Sequence, residues 1–570
     1  MIHEILPGAG ELPTATPAII RGRESWSYEQ TAERCRALAD KLFQRLGKRD
    51  AVVGILIHDP AHRTIALLGT WLAGMTAVVI EPTDPLRRRE NIATHAGADL
   101  FVVDAATVST TSGPGTSWIE FDDVDAHPTG SYRDTEIVLN RPALLAYIPG
   151  PSGLPRAVVR THRDLLSDLR VAAELITLDD PIPARVAAPV SPMHGLVVAL
   201  AALSRRLTLC PYSTIHTEHE RIRDQEITVL AAPTSELRRL MNAVNGERIM
   251  PGCHRVIVNG DKLLNRDVEN FRRLFSTDCS VVNSYGTTEA GFIANHVIDP
   301  STPVPDLIPA GTVVDGKTVR ILHREGREMR PGRRGEIVVL GKSLPPGFWN
   351  DPDSTSTVYR TAPEDPDMRM CDSGDVGYIV DDQLIVVGRV DTLVKIQDHR
   401  VDLGEAELAI KQIDGVQNST VMVSEDSTGN RDLTAYVTPL PDRVLHEDLL
   451  RSELGTVLPH YMVPKHIVVI GERQNRSDAD AGSPGASPPD RDEAPVSDTE
   501  VKVAEVWKEV FELDSVAVND DILELGIGSL HAMVMCQKLC QLFSIEIPYS
   551  QLIISPTVRE LSAYIDEHKS

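Results

Sequence analysis

The sequence predicts an α/β protein with largely parallel sheets, followed by a region of Gly- and Pro-punctuated strands and then by a separate helical module. Three observations predict it. Short apolar runs alternate with amphipathic helical segments through roughly the first three hundred of 570 residues, the pattern of strands buried on both faces. From about residue 310 the runs become strands broken by Gly and Pro, such as Gly335-Glu336-Ile337-Val338-Val339-Leu340. Residues 473–497 then lack large apolar side chains and are rich in Pro, Gly, Ser and Asp. Such a stretch cannot bury enough surface to fold and reads as a flexible linker. It sets apart a module of 73 residues, 498–570.

The elements follow in order. Ser27-Tyr28-Glu29-Gln30 is a capping-box signal, and Ala32, Cys35, Leu38, Ala39 and Leu42 fall on one face of the helix it opens. Residues 51–57, 76–80 and 100–103 read as buried strands. In the C-terminal module Val503, Val506, Trp507 and Val510 mark one helix face, and further helices are expected over 532–542 and 558–565.

Composition narrows the function. Hydrophobic residues are 42% and charged residues 24%, which excludes wholesale disorder. Lys plus Arg is 57 against 82 Asp plus Glu, a formal charge of −25, so nucleic acid is repelled overall. The C-terminal module holds 13 acidic and 5 basic side chains, a net of −8. Seven scattered cysteines without a Cys-x-x-Cys pair suit reduced thiols and give no support for zinc. The first residues have no signal-peptide pattern, and the most hydrophobic window, 65–80, is too short to span a bilayer. A cytoplasmic protein without membrane or nucleic-acid partners is expected.

The most specific stretch is Asn283-Ser284-Tyr285-Gly286-Thr287-Thr288-Glu289-Ala290, which places an aromatic ring, a glycine, hydroxyls and a carboxylate together after a strand. Other motifs surround it in a definite order. They are 71–85 (WLAGMTAVVIEPTDP), 147–158, Thr161-His162-Arg163, 227–234 (ITVLAAPT), 254–261 (HRVIVNGD), Ser373-Gly374-Asp375, and Gly388-Arg389-Val390-Asp391 through Glu407. In this set and order the chain resembles the adenylate-forming superfamily of nonribosomal peptide synthetase adenylation domains, acyl-CoA synthetases and luciferases, over most of 20–472. The resemblance implies a large α/β subdomain (1–389) and a small α+β subdomain (390–472).

It also implies roles. Tyr285 would stack on adenine, and Thr288 and Glu289 would hold ATP phosphate and Mg²⁺, with Glu289 the metal ligand. Asp375 would accept from the ribose hydroxyls, Arg389 would reach ribose or phosphate, and Asp391 would be the hinge. Ser152, Gly153 and Gly260 fall among the nucleotide-binding positions, and Arg156 stands with Thr288 and Glu289 as a catalytic candidate. His194, Ile257, Asn259, Ser284, Phe292 and Ile293 fall at substrate-pocket positions. No acid stands in 189–196, where amino-acid-activating relatives place an aspartate, so the pocket resembles the acyl and aryl-acid branches.

The chain departs from the family pattern at several points. The phosphate loop carries Pro149 and Pro151 where Ser or Thr is usual, and Arg156-Ala157 in place of Lys-Gly. Proline has no N–H, so potential phosphate donors are lost. A late lysine is expected about ten to fifteen residues after Leu458-Pro459-His460-Tyr461-Met462-Val463-Pro464. Instead 470–478 runs into the linker with none, and Arg476 is the nearest cation. Asp372 replaces an Arg and Asp398 a Gly, adding negative charge where anionic ligands are expected.

In the C-terminal module, Asn519-Asp520-Asp521-Ile522-Leu523-Glu524-Leu525-Gly526-Ile527-Gly528-Ser529-Leu530 resembles the thiolation (carrier) domains of peptide and polyketide synthetases, implying four helices and 4′-phosphopantetheine on Ser529. The expected function is ATP-dependent activation of a small carboxylic acid and its loading on the protein's own carrier. Expected partners are a phosphopantetheinyl transferase and a downstream synthetase or tailoring enzyme that meets the acidic carrier. The alternative is a pseudo-adenylation domain that serves as scaffold or acyl-transfer platform.

Overall fold

The computed structural model describes Ile5 and residues 16–111, 117–123, 138–149, 155–177, 184–191, 193–244, 248–305, 307–323, 326–389, 393–396, 399–425, 431–439, 443 and 445–469. In the C-terminal module it describes 497–511, 515–520, 557–568 and isolated positions between them. The linker and the 532–542 helix expectation thus lie wholly or largely outside the described residues.

Two parallel-based sheets build the large unit. The first runs Trp118–Glu120, Leu100–Val103, Val52–Leu56, Thr76–Val79, Pro142–Ile148, Arg156–Thr161, with only the last pairing antiparallel. The second is nine-stranded. Its parallel core runs Ser280–Thr287, Arg255–Asn259, Val229–Pro233, Arg185–Pro189, Thr208–Tyr212, Pro17–Arg21, and its antiparallel edges are Gly291–Ile298 with Thr312–Val313 on one side and Glu24–Ser27 on the other. Parallel strands are covered on both faces, which is why the middles of these runs are mostly apolar and buried.

The covering helices follow from local sequence. Ser27 caps Tyr28–Leu46 through a reciprocal bond with Gln30, a cap worth about 0.5–2 kcal/mol, and Gly47 ends it in the left-handed region. Pro60–Leu72 begins with Asp59 as cap and Pro60 in its first turn, and nearly every residue after Pro60 is buried. Trp71 donates from its indole nitrogen to the Ala143 carbonyl at 2.7 Å, tying this helix to the first sheet. Met193–Ser204 is buried along almost its whole length. These helices and both sheets share one apolar core.

After residue 310 comes an antiparallel five-stranded sheet in the order Lys317–Leu322, Gly335–Gly341, Asp365–Val380, Tyr359–Ala362, with Gln383–Arg389 also paired to the long strand. The small unit has a hairpin (Leu393–Ile396, His399–Asp402), a three-stranded sheet (Val416–Glu425, Arg431–Pro439, His466–Val469) and the helices Leu403–Lys411 and Glu447–Leu454. It has its own core. In the C-terminal module Asp498–Phe511 and Val558–His568 pack around a fully buried Trp507.

One expectation shifts. The 283–290 motif does not simply follow a strand: Ser280–Thr287 runs through its first half, and the hairpin returns at Gly291. A side chain at Gly286 would meet the Gly291 carbonyl at 2.4 Å, so the close return of the chain requires glycine.

Candidate active site

A cavity of about 270 Å³ lies where the parallel strands of both sheets end. Val79, Val190, Asn259, Gly260, Thr287 and Thr288, all at or just past carboxyl ends of strands, line it. Ligands in open α/β folds bind in such crevices because successive loops diverge there.

Two contact-linked groups border it. In the first, the buried Tyr285 hydroxyl donates to Asp375 Oδ2 at 2.5 Å, and Arg389 Nη1 donates to Asp375 Oδ1 at 2.6 Å. Burial, then the Asp375 charge, push the Tyr285 phenol well above its ordinary range, so it remains a donor. The Ser373 hydroxyl donates to the Ile337 carbonyl and accepts the Asp375 N–H, holding the strand in place. In the second group, His194 lies against Phe292 with ring centroids 4.1 Å apart. Phe292 accepts from Lys317 Nζ through its carbonyl and donates through its N–H to Asp168, which is bonded to Arg160.

The small unit closes the cavity. His399 and Tyr461 line it and stack almost parallel, with centroids 3.6 Å apart and planes 4° from parallel. Burial pulls His399 down to about 3, against the opposing pull of Glu81, so the imidazole is neutral. On the helix Leu86–Ala96, Arg88 reaches Glu405 of the small unit at 3.1 Å with both side chains buried, and Asp84 lies 3.7 Å from its Nε.

His194, Asn259, Gly260, Thr288, Phe292, Asp375 and Arg389 come together at the cavity, with Tyr285 bonded behind Asp375. Ile257 and Ile293 are packed into core clusters, Ser284 donates to Asn295, and Glu289 is buried with its carbonyl accepting from Tyr359. None of these four is among the cavity-lining residues. Arg156 is not in the lining either: its guanidinium lies 4.4 Å over the Phe348 ring. Ser152, Gly153, Asp391, Asp398, Arg476 and Ser529 lie outside the described residues. Asp372 is also away from the lining, and Arg360 donates to it at 2.7 Å, so its charge is neutralised locally instead of facing an anionic ligand.

Sequence reasoning missed Arg88–Glu405, His399, Tyr461 and the Arg160 group. Asp164 and Asp168 share a helix face four residues apart, a readable signal, but Arg160 sits on the preceding strand and joins them only through the strand-to-helix turn. Lys317, 149 residues from Asp168, left none.

The polar groups at this cavity suit a nucleotide: the Asp375 carboxylate to accept from hydroxyls, the Arg389 guanidinium for phosphate and the Thr288 hydroxyl, beside glycines that let backbone approach. Fold and site together are those of an adenylate-forming domain, and the motifs of the C-terminal module resemble a carrier. Residues 9–349 match the AMP-binding enzyme family and 501–565 match the phosphopantetheine attachment site. The chain belongs to the AMP-binding enzyme family, whose members use ATP and Mg²⁺, and its attachment site calls for 4′-phosphopantetheine.

The chain is 24% identical to gramicidin S synthase 2 of Brevibacillus brevis, over 100% of its own length and 13% of the relative's. It is also 24% identical to tyrocidine synthase 2 of Brevibacillus parabrevis, over 99% of its length and 16% of the relative's. It thus spans only 13% and 16% of the length of these curated relatives. Its fold matches an artificially fused adenylation–PCP di-domain from Klebsiella oxytoca with TM-score 0.70 at 18% identity, covering 99% of this chain and 97% of that one. It also matches o-succinylbenzoate CoA synthetase from Bacillus subtilis with TM-score 0.70 at 19% identity, covering 82% and 94%. Among the described residues no helix is long and apolar enough to cross a membrane.

Proposed function

We propose that the protein activates a carboxylic acid with ATP and loads it as a thioester on its own carrier. The acid's carboxylate attacks the α-phosphate, giving acyl-AMP and pyrophosphate, and a thiol then displaces AMP to form the thioester. The observation that carries this reading is the Tyr285–Asp375–Arg389 hydrogen-bond chain at a cavity which also takes in His194, Thr288 and the small unit's His399. In it Asp375 would receive the ribose hydroxyls and Arg389 and Thr288 would face phosphate, while Glu289, next to Thr288 in sequence and buried outside the lining, would hold Mg²⁺, which when bound would neutralise phosphate charge. Ser529 carries the arm that supplies the thiol. The units divide at 1–389, 390–472, 473–497 and 498–570. A phosphopantetheinyl transferase primes the carrier, and its net of −8 suits a basic partner surface on the enzyme that takes the product.

The test is acid-dependent ATP–pyrophosphate exchange on the full chain, expected with at least one acid of a broad panel and lost in Glu289→Ala. No exchange with any acid overturns the reading. Priming is checked separately. Incubation with a phosphopantetheinyl transferase and CoA adds the mass of one arm, and Ser529→Ala adds none.

A second reading is favoured by Pro149, Pro151 and the lack of a lysine between Ile470 and Val501. Here the large unit is a scaffold for a carrier loaded elsewhere. Micromolar ATP affinity by calorimetry counts against it.

A further inference from the structure

The hairpin between Ser280–Thr287 and Gly291–Ile298 carries Thr288 on its loop and Phe292 on its returning strand, both in the cavity lining. On the far side of the returning strand, Thr312–Val313 pairs only with Ala294 and Asn295. Nearer the loop, buried backbone groups therefore need partners from side chains. Lys317 and Asp168 supply them. Lys317 Nζ donates to the Ala290 carbonyl at 2.7 Å and to the Phe292 carbonyl at 2.5 Å. Its third donor goes to Asp168 Oδ1 at 3.0 Å, and the same oxygen accepts the Phe292 N–H at 3.2 Å. The three ammonium hydrogens are thus spent, and both side chains are 3% exposed.

The clamp is itself held. Arg160 donates to Asp168 Oδ2 at 2.6 Å and to Asp164 Oδ1 at 2.5 Å, so two cations face two anions and the buried set is formally neutral. Against burial, Lys317 and Arg160 pull the Asp168 carboxyl below its ordinary range, so it remains an acceptor. Gly291 fits between the two clamped carbonyls. It sits at φ +70°, and a side chain there would fall 2.1 Å from the Asp168 carboxylate. Further round the loop, the Tyr359 hydroxyl donates to the Glu289 carbonyl at 2.9 Å, and the Thr287 hydroxyl accepts the Ala290 N–H at 3.1 Å.

We propose that Lys317 is a positioning residue that acts, with Asp168, through the backbone of residues 290–292. It sets Thr288 toward phosphate and the Phe292 ring against His194, where that ring walls the acid pocket. One ammonium thus fixes the nucleotide side and the acid side of the cavity to each other. This rests on the reading of the cavity as an acid-activating site. An apolar residue at 317 would leave two buried carbonyls without a donor, and the loop would shift to find one. A displacement of about 1 Å at reacting groups costs up to about a hundredfold in rate.

Two variants of the full chain separate positioning from charge balance. Lys317→Met removes the clamp and leaves the buried set one positive charge short. Lys317→Met/Asp168→Asn also removes the clamp but restores neutrality, since Arg160 keeps Asp164. The double variant is expected to regain about half or more of the urea midpoint that the single one loses. Its kcat for acid-dependent pyrophosphate exchange is expected to stay about tenfold or more below wild type. KM for ATP is expected within about threefold of wild type, because the Tyr285–Asp375–Arg389 group is untouched. A kcat within about threefold of wild type in the double variant assigns Lys317 to charge balance alone and overturns the proposal. Hydrogen exchange read by mass spectrometry gives a measure independent of turnover. In the double variant residues 286–293 are expected to exchange about tenfold faster, with the rest of the large unit as in the wild type. Unchanged protection there, or equal loss throughout the large unit, also overturns the proposal. Lys317→Gln keeps two donors and is expected to fall between, and it decides where the other variants do not fold. If the wild type exchanges pyrophosphate with no acid, the activation reading falls, and hydrogen exchange alone decides the clamp.

Discussion

Two buried ion groups border the same cavity, and they are assembled differently. Arg160, Asp164, Asp168 and Lys317 all belong to the large unit and are at most 3% exposed as side chains. Arg88, Asp84 and Glu405 straddle the large and small units. The first group persists as long as the large unit is folded, so it can set pocket shape. The second exists only while the small unit sits where His399 and Tyr461 close the cavity. Buried ion pairs gain little net stability over apolar packing, but breaking one is expensive, which makes them better at specifying an arrangement than at strengthening it.

Substitutions can separate the two roles. The largest effect is expected for Asp168→Ala, which leaves Arg160 and Lys317 buried with one carboxylate between them. A loss of about 3–5 kcal/mol in urea unfolding of the large unit is the expected outcome. A loss below about 1 kcal/mol would show that the group is more hydrated than its burial implies.

Arg88→Met and Glu405→Gln come next. When the units separate, the abandoned partner can return to water, so the cost falls on the closed arrangement and not on folding. A shift of about 1–3 kcal/mol toward open forms is expected, read by fluorescence transfer between dyes on the two units. In the double variant the shift should fall short of the sum of the singles. Strict additivity would break the comparison, because the pair would then not be acting as a unit.

A third effect, spread over a pH window, is on pH dependence. Burial, opposed by Arg88 and helped by Glu81, raises Asp84 from 3.8 to about 6. The native state therefore holds a proton that the unfolded chain has released. The stabilisation is complete below 3.8 and is lost as pH rises through about 6. The wild type should lose up to about 3 kcal/mol across that window, and Asp84→Asn should flatten the profile. A profile unchanged in Asp84→Asn would assign the titration elsewhere.

Local patterns made the elements readable. Ser27 and Gln30 meet in the expected capping box, and the apolar runs at 52–56, 76–79 and 100–103 are buried strands. Motif residues were readable as far as the cavity: Tyr285, Thr288, Asp375 and Arg389 do converge. Arg156 was not, because its placement over Phe348 is a packing outcome between residues 192 positions apart in sequence. Asp372 looked unfavourable only because its partner Arg360 sits on the neighbouring strand.

The sequence alone thus determined the element types and the family, and it pointed to residues such as Thr288, Asp375 and Arg389 that the fold brings to one cavity, since periodicity, caps and ordered motifs are local. Only the tertiary structure decided which charges meet. Lys317 finds Asp168, Glu405 finds Arg88, and Arg160 is left with one donor facing no protein partner among the described residues, through contacts made by chain closure over distances no local pattern encodes. Burial then gives these meetings their weight, because a charge or donor removed from water must find its partner in the fold or in a ligand.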